Sequence, residues 1–174
     1  MSKRTLKRQL NLFQVIMLGT AGTLVDEGTL EASYAPIRLS DSSVLEVKLL
    51  LRWSQGESIL RRWARVRLVG ESKPRLIKEV ILDRIDTRGQ KVWTHGSGEP
   101  GHDSPILLEG PQSHPVFVPG RFAGVEFPVA STRLEDGKIL LAHRPGVRLQ
   151  PGAWYQTRTA VSGLTAPGEE VQRF

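Results

Sequence analysis

The stretch VLEVKLLLRW, residues 44–53, decides the fold, because apolar and polar side chains alternate along most of it. The apolar side chains on one face are Leu45, Val47, Leu49, Leu51 and Trp53. A period of two residues is that of a β-strand, in which successive side chains point to opposite faces. The stretch therefore predicts a strand with one buried and one solvated face.

The alternation resumes after a turn at residues 54–57, where Ala64, Val66 and Leu68 alternate with Arg65 and Arg67. The following stretch RLIKEVILDRI, residues 75–85, fits the apolar period of a helix as well as that of a strand. We favour a strand, because the stretch is rich in β-branched residues and no N-cap residue precedes it. The sequence thus predicts successive strands in this region.

Short apolar runs separated by turn residues continue toward the C-terminus, interrupted by a Gly/Pro/His-rich loop at residues 95–115. Asp136-Gly137 is typical of a tight hairpin turn, and two later Pro-Gly pairs are typical of type II turns. Short strands at this spacing indicate a mainly β fold, an antiparallel β-sandwich that is Ig-like or jelly-roll-like.

The segment before this domain contains an uncharged stretch, LNLFQVIMLGTAGTLV, residues 10–25. The four cations that precede it are Lys3, Arg4, Lys7 and Arg8, and Asp26 and Glu27 follow it. As a helix rising about 1.5 Å per residue, the stretch is about 24 Å long, against roughly 30 Å for a hydrocarbon core. It predicts a single transmembrane helix, and the positive-inside rule puts the N-terminus in the cytoplasm and the β domain on the periplasmic or extracellular side.

Other interpretations of the same stretch stay open. Gly19-Thr20-Ala21 has the small residues of a signal-peptide cleavage site. Asn11 and Gln14 make the stretch only moderately apolar, which also suits an amphipathic helix on a membrane or partner, or a helix of a soluble protein. Within a membrane, small residues let a neighbouring helix approach closely, and the candidates for such packing are Gly19, Thr20, Gly22 and Thr23.

Charge is distributed unevenly along the chain, whose formal net charge is +6. Apart from the N-terminal cations, the basic residues concentrate in one stretch with Trp53 and Trp63 close by, consisting of Arg61, Arg62, Arg65, Arg67, Lys73, Arg75 and Lys78. We predict that the N-terminal cations and the arginines at 61, 65 and 67 contact anionic headgroups or a partner. The alternative is an exposed strand face, on which arginines discourage aggregation. Interspersed acids argue against nucleic acid as the partner.

Motifs for catalysis or metal binding are weak. The chain has no cysteine, which excludes disulfides, thiolate metal sites and cysteine nucleophiles. The run GSGEPG at 96–101 has the glycine spacing of a dinucleotide site, but Pro100 and Pro105 oppose the helix that such a site requires. The candidate metal ligands in the loop are His95, His102, Asp103 and His114. Their separations match no standard zinc or copper site, so we predict a protein without cofactor that is not an enzyme.

These observations predict a non-catalytic accessory subunit of a membrane complex, respiratory or photosynthetic, in the inner or cell membrane. Its expected partners are other membrane-protein subunits and the lipid bilayer. The alternative is a soluble basic β-sandwich module, part of a virion or of a nucleic-acid-associated structure. The predicted segments are a cytoplasmic tail at 1–9, an anchor helix at 10–25, a linker at 26–43, the β domain at 44–163 and a tail at 164–174.

Overall fold

The computed structural model of the chain describes residues 22–26, 28–39, 42–53, 58–70, 73–95, 105–107, 113–128 and 130–166, with the backbone alone at 22–26, 95 and 105–107. This part of the chain is mainly β, as predicted, and contains no helix. Its strands are β1 (Gly22–Asp26), β2 (Thr29–Ser33), β3 (Ile37–Arg38), β4 (Val44–Trp53), β5 (Ile59–Val69), β6 (Arg75–Ile77), β7 (Val80–Asp86), β8 (Trp93–His95), β9 (Pro105–Leu107), β10 (Val116–Val118), β11 (Arg121–Val125), β12 (Ala130–Glu135), β13 (Lys138–His143), β14 (Val147–Leu149), β15 (Trp154–Gln156) and β16 (Ala160–Leu164).

One large sheet contains eleven of these strands. Its order is β1-β2-β4-β5-β16-β11-β10-β8-β9, with β3 paired to β4 and β15 paired to β5. A three-stranded sheet has the order β12-β13-β7, and β14 pairs with β6. Every pairing between the strands named above is antiparallel, which confirms the predicted strand direction.

The two long strands β4 and β5 form the centre of the large sheet, with Val44 opposite Val69 at one end and Trp53 opposite Leu60 at the other. We call the face that carries Leu45, Ala64 and Leu68 the inner face, and the opposite face, which carries Lys48 and Arg65, the outer face. The predicted alternation of apolar and charged residues is therefore confirmed for both strands. Trp53 is an exception to the predicted burial, since 46% of it is exposed.

Both smaller sheets pack on the inner face. Ala64, Val116 and Ala160 of the large sheet form one apolar cluster with Ile139 and Leu141 of the three-stranded sheet. The β6/β14 pair covers the neighbouring part of the inner face, where its Leu149 joins a second cluster consisting of Val66, Leu68 and Leu149. Burying a Leu, Ile or Val side chain stabilises a fold by about 1.5–3 kcal/mol, so these clusters hold the sheets together.

Two local predictions are confirmed. Residues 75–85 form strands, β6 and β7, rather than a helix. The hairpin between β12 and β13 turns at Asp136 and Gly137, whose φ angles are 49° and 68°. Positive φ at both central residues is the requirement of the tight hairpin turn that Asp-Gly favours.

The start of the β domain differs from the prediction. The anchor helix was expected to extend to residue 25, but Gly22–Asp26 form β1, which pairs with β2. The segment 26–43, predicted as a linker, contains β2 and β3, both paired with β4. The physical reason is that the backbone N–H and C=O groups along the edge of β4 need hydrogen-bond partners, and β2 supplies them. The other edge of β2 is then paired with β1 in the same way. The predicted tail at 164–174 also begins inside the fold, since Leu164 ends β16.

Candidate functional site

A group of cationic side chains surrounds Trp154 on the outer face of the large sheet. The Lys48 ammonium lies 5.4 Å from the centre of the Trp154 ring, and the guanidinium carbons of Arg65 and Arg67 lie 5.3 Å and 4.6 Å from it. Cations within about 6 Å of an aromatic ring centre are attracted to the ring face. We call Lys48, Arg65, Arg67 and Trp154 the Trp154 patch.

Two carboxylates hold parts of this patch in place. Glu46 accepts hydrogen bonds from Arg67 through Nε at 2.9 Å and Nη2 at 2.6 Å. Glu31 accepts one from the Lys48 ammonium at 2.6 Å. Among the described residues, no carboxylate forms an ion pair with Arg65. The patch therefore has one more cation than carboxylate, and the excess charge lies at Arg65.

Trp154 reaches this position because β15 pairs with the part of β5 that β16 does not pair with. β16 pairs with residues 59–62 of β5, and β15 pairs with residues 65–67 of the same strand. Thr157 closes the gap between them, since its N–H donates to the Ala64 carbonyl and its hydroxyl accepts from the Ala64 N–H, both at 2.9 Å. Before β15, Gly152 takes a φ of 79°, and its N–H donates to the Leu68 carbonyl at 2.7 Å.

The basic stretch predicted from the sequence does not form one surface. Arg61, Arg65 and Arg67 lie on the outer face, and Arg61 pairs with Glu126 at 3.2 Å. Arg62 points to the inner face and is buried, contrary to the interpretation of the stretch as one exposed face. The remaining cations, Lys73, Arg75 and Lys78, lie in or beside β6, on the opposite side of the large sheet.

The buried Arg62 joins the large sheet to the three-stranded sheet. It forms an ion pair with Asp83 of β7 and a hydrogen bond to the hydroxyl of Ser162 on β16. Only 6% of the Arg62 side chain and 14% of the Asp83 side chain are exposed. Burial lowers the pKa of Arg62 and raises the pKa of Asp83, because it disfavours both charged forms, while their mutual attraction opposes each shift. The pair is therefore a structural link between the sheets.

A second charged network lies on the three-stranded sheet. Glu79 accepts two hydrogen bonds from Arg133, at 2.9 Å and 3.0 Å, and one from Arg144 at 2.8 Å. Burial by itself raises the pKa of Glu79, but the hydrogen bonds from Arg144 and Arg133 outweigh burial and lower it. Two arginines on one carboxylate, with Glu135 as a further partner of Arg133, make this a surface ion-pair network.

His143 of β13 lies in a buried aromatic environment and is 4% exposed. Its Nδ1 accepts a hydrogen bond from the backbone N–H of Arg158 at 3.2 Å. The imidazole ring stacks on Tyr155 at a centroid distance of 6.3 Å and meets Phe127 edge to face at 5.6 Å. Burial, and then the nearby charge of Arg158, lower the pKa of His143. The neutral imidazole is thus the form that the fold stabilises.

This environment predicts a pH dependence of stability. Because the folded-state pKa of His143 lies below its unfolded value of about 6.5, its contribution is complete above that pH and is lost as the pH falls toward the folded-state pKa. We expect the free energy of unfolding to fall between pH 6.5 and 5.5 by at most about 1 kcal/mol, because the unfolded-state imidazole is only half protonated at pH 6.5. Urea unfolding of His143→Gln at both pH values should show a smaller loss than the wild type. The control is His114→Gln, at an exposed histidine, and an equal loss in wild type and His143→Gln would contradict the prediction.

The other residues predicted as site residues are placed as follows. His114 is exposed and lies just before β10, and His95 ends β8. The remaining metal candidates, His102 and Asp103, lie outside the described residues, as do Gly19, Thr20 and the cations Lys3, Arg4, Lys7 and Arg8. Within the described ranges, no group of three His, Asp or Glu residues is arranged to hold a metal ion.

The helix-packing prediction is corrected at two of its residues. Gly22 and Thr23 lie in strand β1, opposite Ala32 and Glu31 of β2. They are therefore not part of a helix, and Thr23 cannot share a helix face with Gly19. A β-branched residue such as Thr23 is accommodated readily in a strand.

Two members of the Trp154 patch were not predicted as site residues. Lys48 could have been found, because it lies on the polar side of the alternation in β4, opposite Arg65 of β5. The sequence does not indicate that Trp154 belongs to the patch, since its contact with Arg67 depends on the pairing of β15 with β5.

Comparison of the sequence with protein-family models and with curated proteins finds no match to either. In the described part of the chain, none of the secondary structure is a helix of the length and apolar character that crossing a bilayer requires. The class that the fold defines is thus an antiparallel, mainly β protein, and the Trp154 patch is its candidate binding site.

Proposed function

We propose that this protein is a non-catalytic accessory subunit that works at an anionic membrane surface, as part of a larger membrane assembly. Its β domain is proposed to be a sandwich of the large sheet against the two smaller sheets. The part of the outer face that carries the Trp154 patch then remains available for contact with headgroups. This function extends the sequence-based prediction of a membrane subunit.

The observation that carries the proposal is the Trp154 patch. Three cations gather around one indole ring, and the charge of Arg65 is not neutralised by any described carboxylate. Lys and Arg side chains near an anionic membrane each contribute about 1 kcal/mol to binding, and tryptophan favours the headgroup region. The ion pairs of Lys48 and Arg67 hold the patch in one arrangement before it binds.

Attachment at the surface fits the chain better than a transmembrane helix. Strand β1 begins at Gly22, so the uncharged stretch before it is limited to residues 10–21. A helix of that length is about 18 Å long, well short of the roughly 30 Å hydrocarbon core. We therefore propose peripheral attachment, which predicts that about 1 M salt releases the protein from membranes without detergent.

Charge reversal at the centre of the patch tests the proposal. Arg65→Glu replaces one attraction with one repulsion of about 1 kcal/mol each, so we expect binding to phosphatidylserine-containing vesicles to weaken about thirty-fold. Co-sedimentation with these vesicles, and with neutral phosphatidylcholine vesicles, measures the effect. The matched control is Arg84→Glu, which makes the same charge change at an exposed position of β7.

Three results would contradict this function. One is equal weakening by Arg65→Glu and Arg84→Glu, which would show that only net charge matters. Another is wild-type binding to single-stranded RNA but not to vesicles, which would favour the nucleic-acid-associated module. The third is that only detergent, and not high salt, releases the protein from membranes, which would favour the transmembrane anchor. Urea unfolding of both variants establishes that each is folded.

A further inference from the structure

One edge of the large sheet carries a short exposed apolar segment. Residues 34–38, with the sequence YAPIR, are all exposed, and Tyr34 and Ile37 are 38% and 49% exposed. Single exposed apolar residues are normal on protein surfaces, but neighbouring ones, as in residues 34–37, are candidates for contact with a partner or a membrane. We call residues 34–38 the edge segment.

The edge segment lies beside β4, close to the Trp154 patch. Tyr34 donates its backbone N–H to the Val47 carbonyl of β4 at 3.0 Å, and Ile37 lies in β3, which also pairs with β4. Lys48, a member of the patch, follows Val47 directly, and β5 with the two arginines of the patch is the next strand. The segment is therefore two strand spacings of about 4.8 Å from β5.

The two faces of the sheet meet at this segment. Ile37 is opposite Leu45, which packs on the second apolar cluster, so the Ile37 side chain points to the inner side. The next residue, Arg38, is opposite Val44 and points to the outer side, which is the side of the Trp154 patch. Arg38 is exposed, and no carboxylate in the described part of the chain forms an ion pair with it. The edge thus combines exposed apolar side chains with a cation.

The chemistry of the edge segment fits the boundary between lipid headgroups and hydrocarbon. Tyrosine favours this boundary because it has an apolar ring and a polar hydroxyl. Isoleucine gains free energy by leaving water, and arginine is attracted to anionic headgroups. The edge segment contains no acid, whereas the exposed run at 134–138 has Glu135 and Asp136 beside Leu134, and an anionic surface would repel them.

A further strand is a less suitable partner for this edge. Pro36 has no backbone N–H to donate to such a strand, and proline on an edge strand opposes edge-to-edge pairing. A bilayer requires no backbone hydrogen bonds from the segment, so the proline is compatible with contact to lipid.

We propose that the edge segment enters the headgroup layer of the bilayer that the Trp154 patch contacts, so that the large sheet meets the bilayer at its β3 edge rather than with its whole outer face. This inference rests on the proposed function, because it requires attachment to an anionic surface. Tyr34 and Ile37 then reach the boundary of the hydrocarbon, and Arg38 and Lys48 lie among the headgroups. Contact by the whole outer face would instead press Glu126, whose side chain is 44% exposed, against the anionic surface.

Fluorescence from a single labelled cysteine tests this orientation, because the chain has no cysteine of its own. Ile37→Cys and Leu76→Cys are each labelled with nitrobenzoxadiazole, whose emission shifts to the blue when it leaves water. Leu76 is the matched control, since it is 50% exposed and lies in β6, on the opposite side of the large sheet. On addition of phosphatidylserine-containing vesicles, we expect a blue shift at 37 and none at 76.

Vesicle affinity gives a second measurement of the same contact. Ile37→Ser removes an apolar side chain of which about half is exposed, so we expect vesicle binding to weaken about five- to tenfold. Leu76→Ser, at a position of equal exposure, should leave vesicle binding unchanged. Urea unfolding of both variants establishes that each is folded.

A blue shift at both labelled positions, or at 76 alone, would overturn the inference. A shift at 37 that appears without vesicles as the protein concentration rises would also overturn it, because it indicates a second copy as the partner. Vesicle binding that is lost in Arg65→Glu, with no shift at 37, would overturn the edge orientation and leave the proposed function standing. Failure of the wild type to bind these vesicles would overturn the proposed function and this inference with it.

Discussion

Asp83→Ala is expected to lower the free energy of unfolding by about 3–5 kcal/mol, because it leaves the guanidinium of Arg62 buried without its charged partner. Arg62 contacts Asp83 across the interface between two sheets, and the structure gives it only Ser162 as a further side-chain partner among the described residues. Urea or guanidinium unfolding, followed by intrinsic fluorescence, measures the change.

Two comparisons show whether the loss comes from the unpaired charge. Removal of both charges in Arg62→Met/Asp83→Leu should recover much of the stability, because a buried ion pair is about as stable as apolar residues of similar volume. Glu126→Ala, which removes the exposed partner of Arg61, should cost about 1 kcal/mol or less. A double variant as unstable as Asp83→Ala would contradict this interpretation.

Phe117→Ala is expected to lower the free energy of unfolding by a similar amount, about 3–5 kcal/mol. The side chain is 1% exposed on the outer face, so its truncation removes buried apolar surface and leaves a cavity. The same unfolding measurement applies, and the variant also reports on whether the outer face is a true core.

The matched control for Phe117 is an apolar residue that is exposed. Leu164 at the end of β16 is 63% exposed, so Leu164→Ala should cost about 1 kcal/mol or less. If Phe117→Ala costs no more than Leu164→Ala, the burial of Phe117 contributes little to stability, and the prediction is wrong.

Local sequence patterns predicted the strands and the hairpin turn. The alternation along β4 and β5 depends only on neighbouring residues, and Asp136-Gly137 satisfies its turn geometry within a few residues. The inward position of Arg62 could also have been predicted from the sequence. Alternate residues of a strand share a face, and Arg62 lies an even number of residues from Ala64, Val66 and Leu68 along β5. The dense run of basic residues favours a single exposed surface, and the alternation along β5 contradicts this at Arg62.

Strand neighbours could not be predicted from the same patterns. The segment 26–43 lacks a long alternating run, so its two strands appeared as a linker, although pairing with β4 makes them part of the large sheet. The start of β1 at Gly22 has the same cause, because an edge strand forms where a partner offers free backbone groups. The candidate metal ligands His102 and Asp103 and the first twenty-one residues lie outside the described structure, and their predicted roles stay predictions.

The sequence by itself determined that this protein is mainly β and which side chains of β4 and β5 share a face, because side-chain direction in a strand alternates with every residue. Only the tertiary structure decided that Trp154 lies beside Lys48, Arg65 and Arg67, and that Arg62 meets Asp83. Those contacts join residues far apart in the chain, and they depend on which strands pair and which sheets pack. Strand pairing and sheet packing together minimise the exposed apolar surface and the unpaired backbone groups of the whole molecule. They therefore cannot be predicted from any local stretch of sequence.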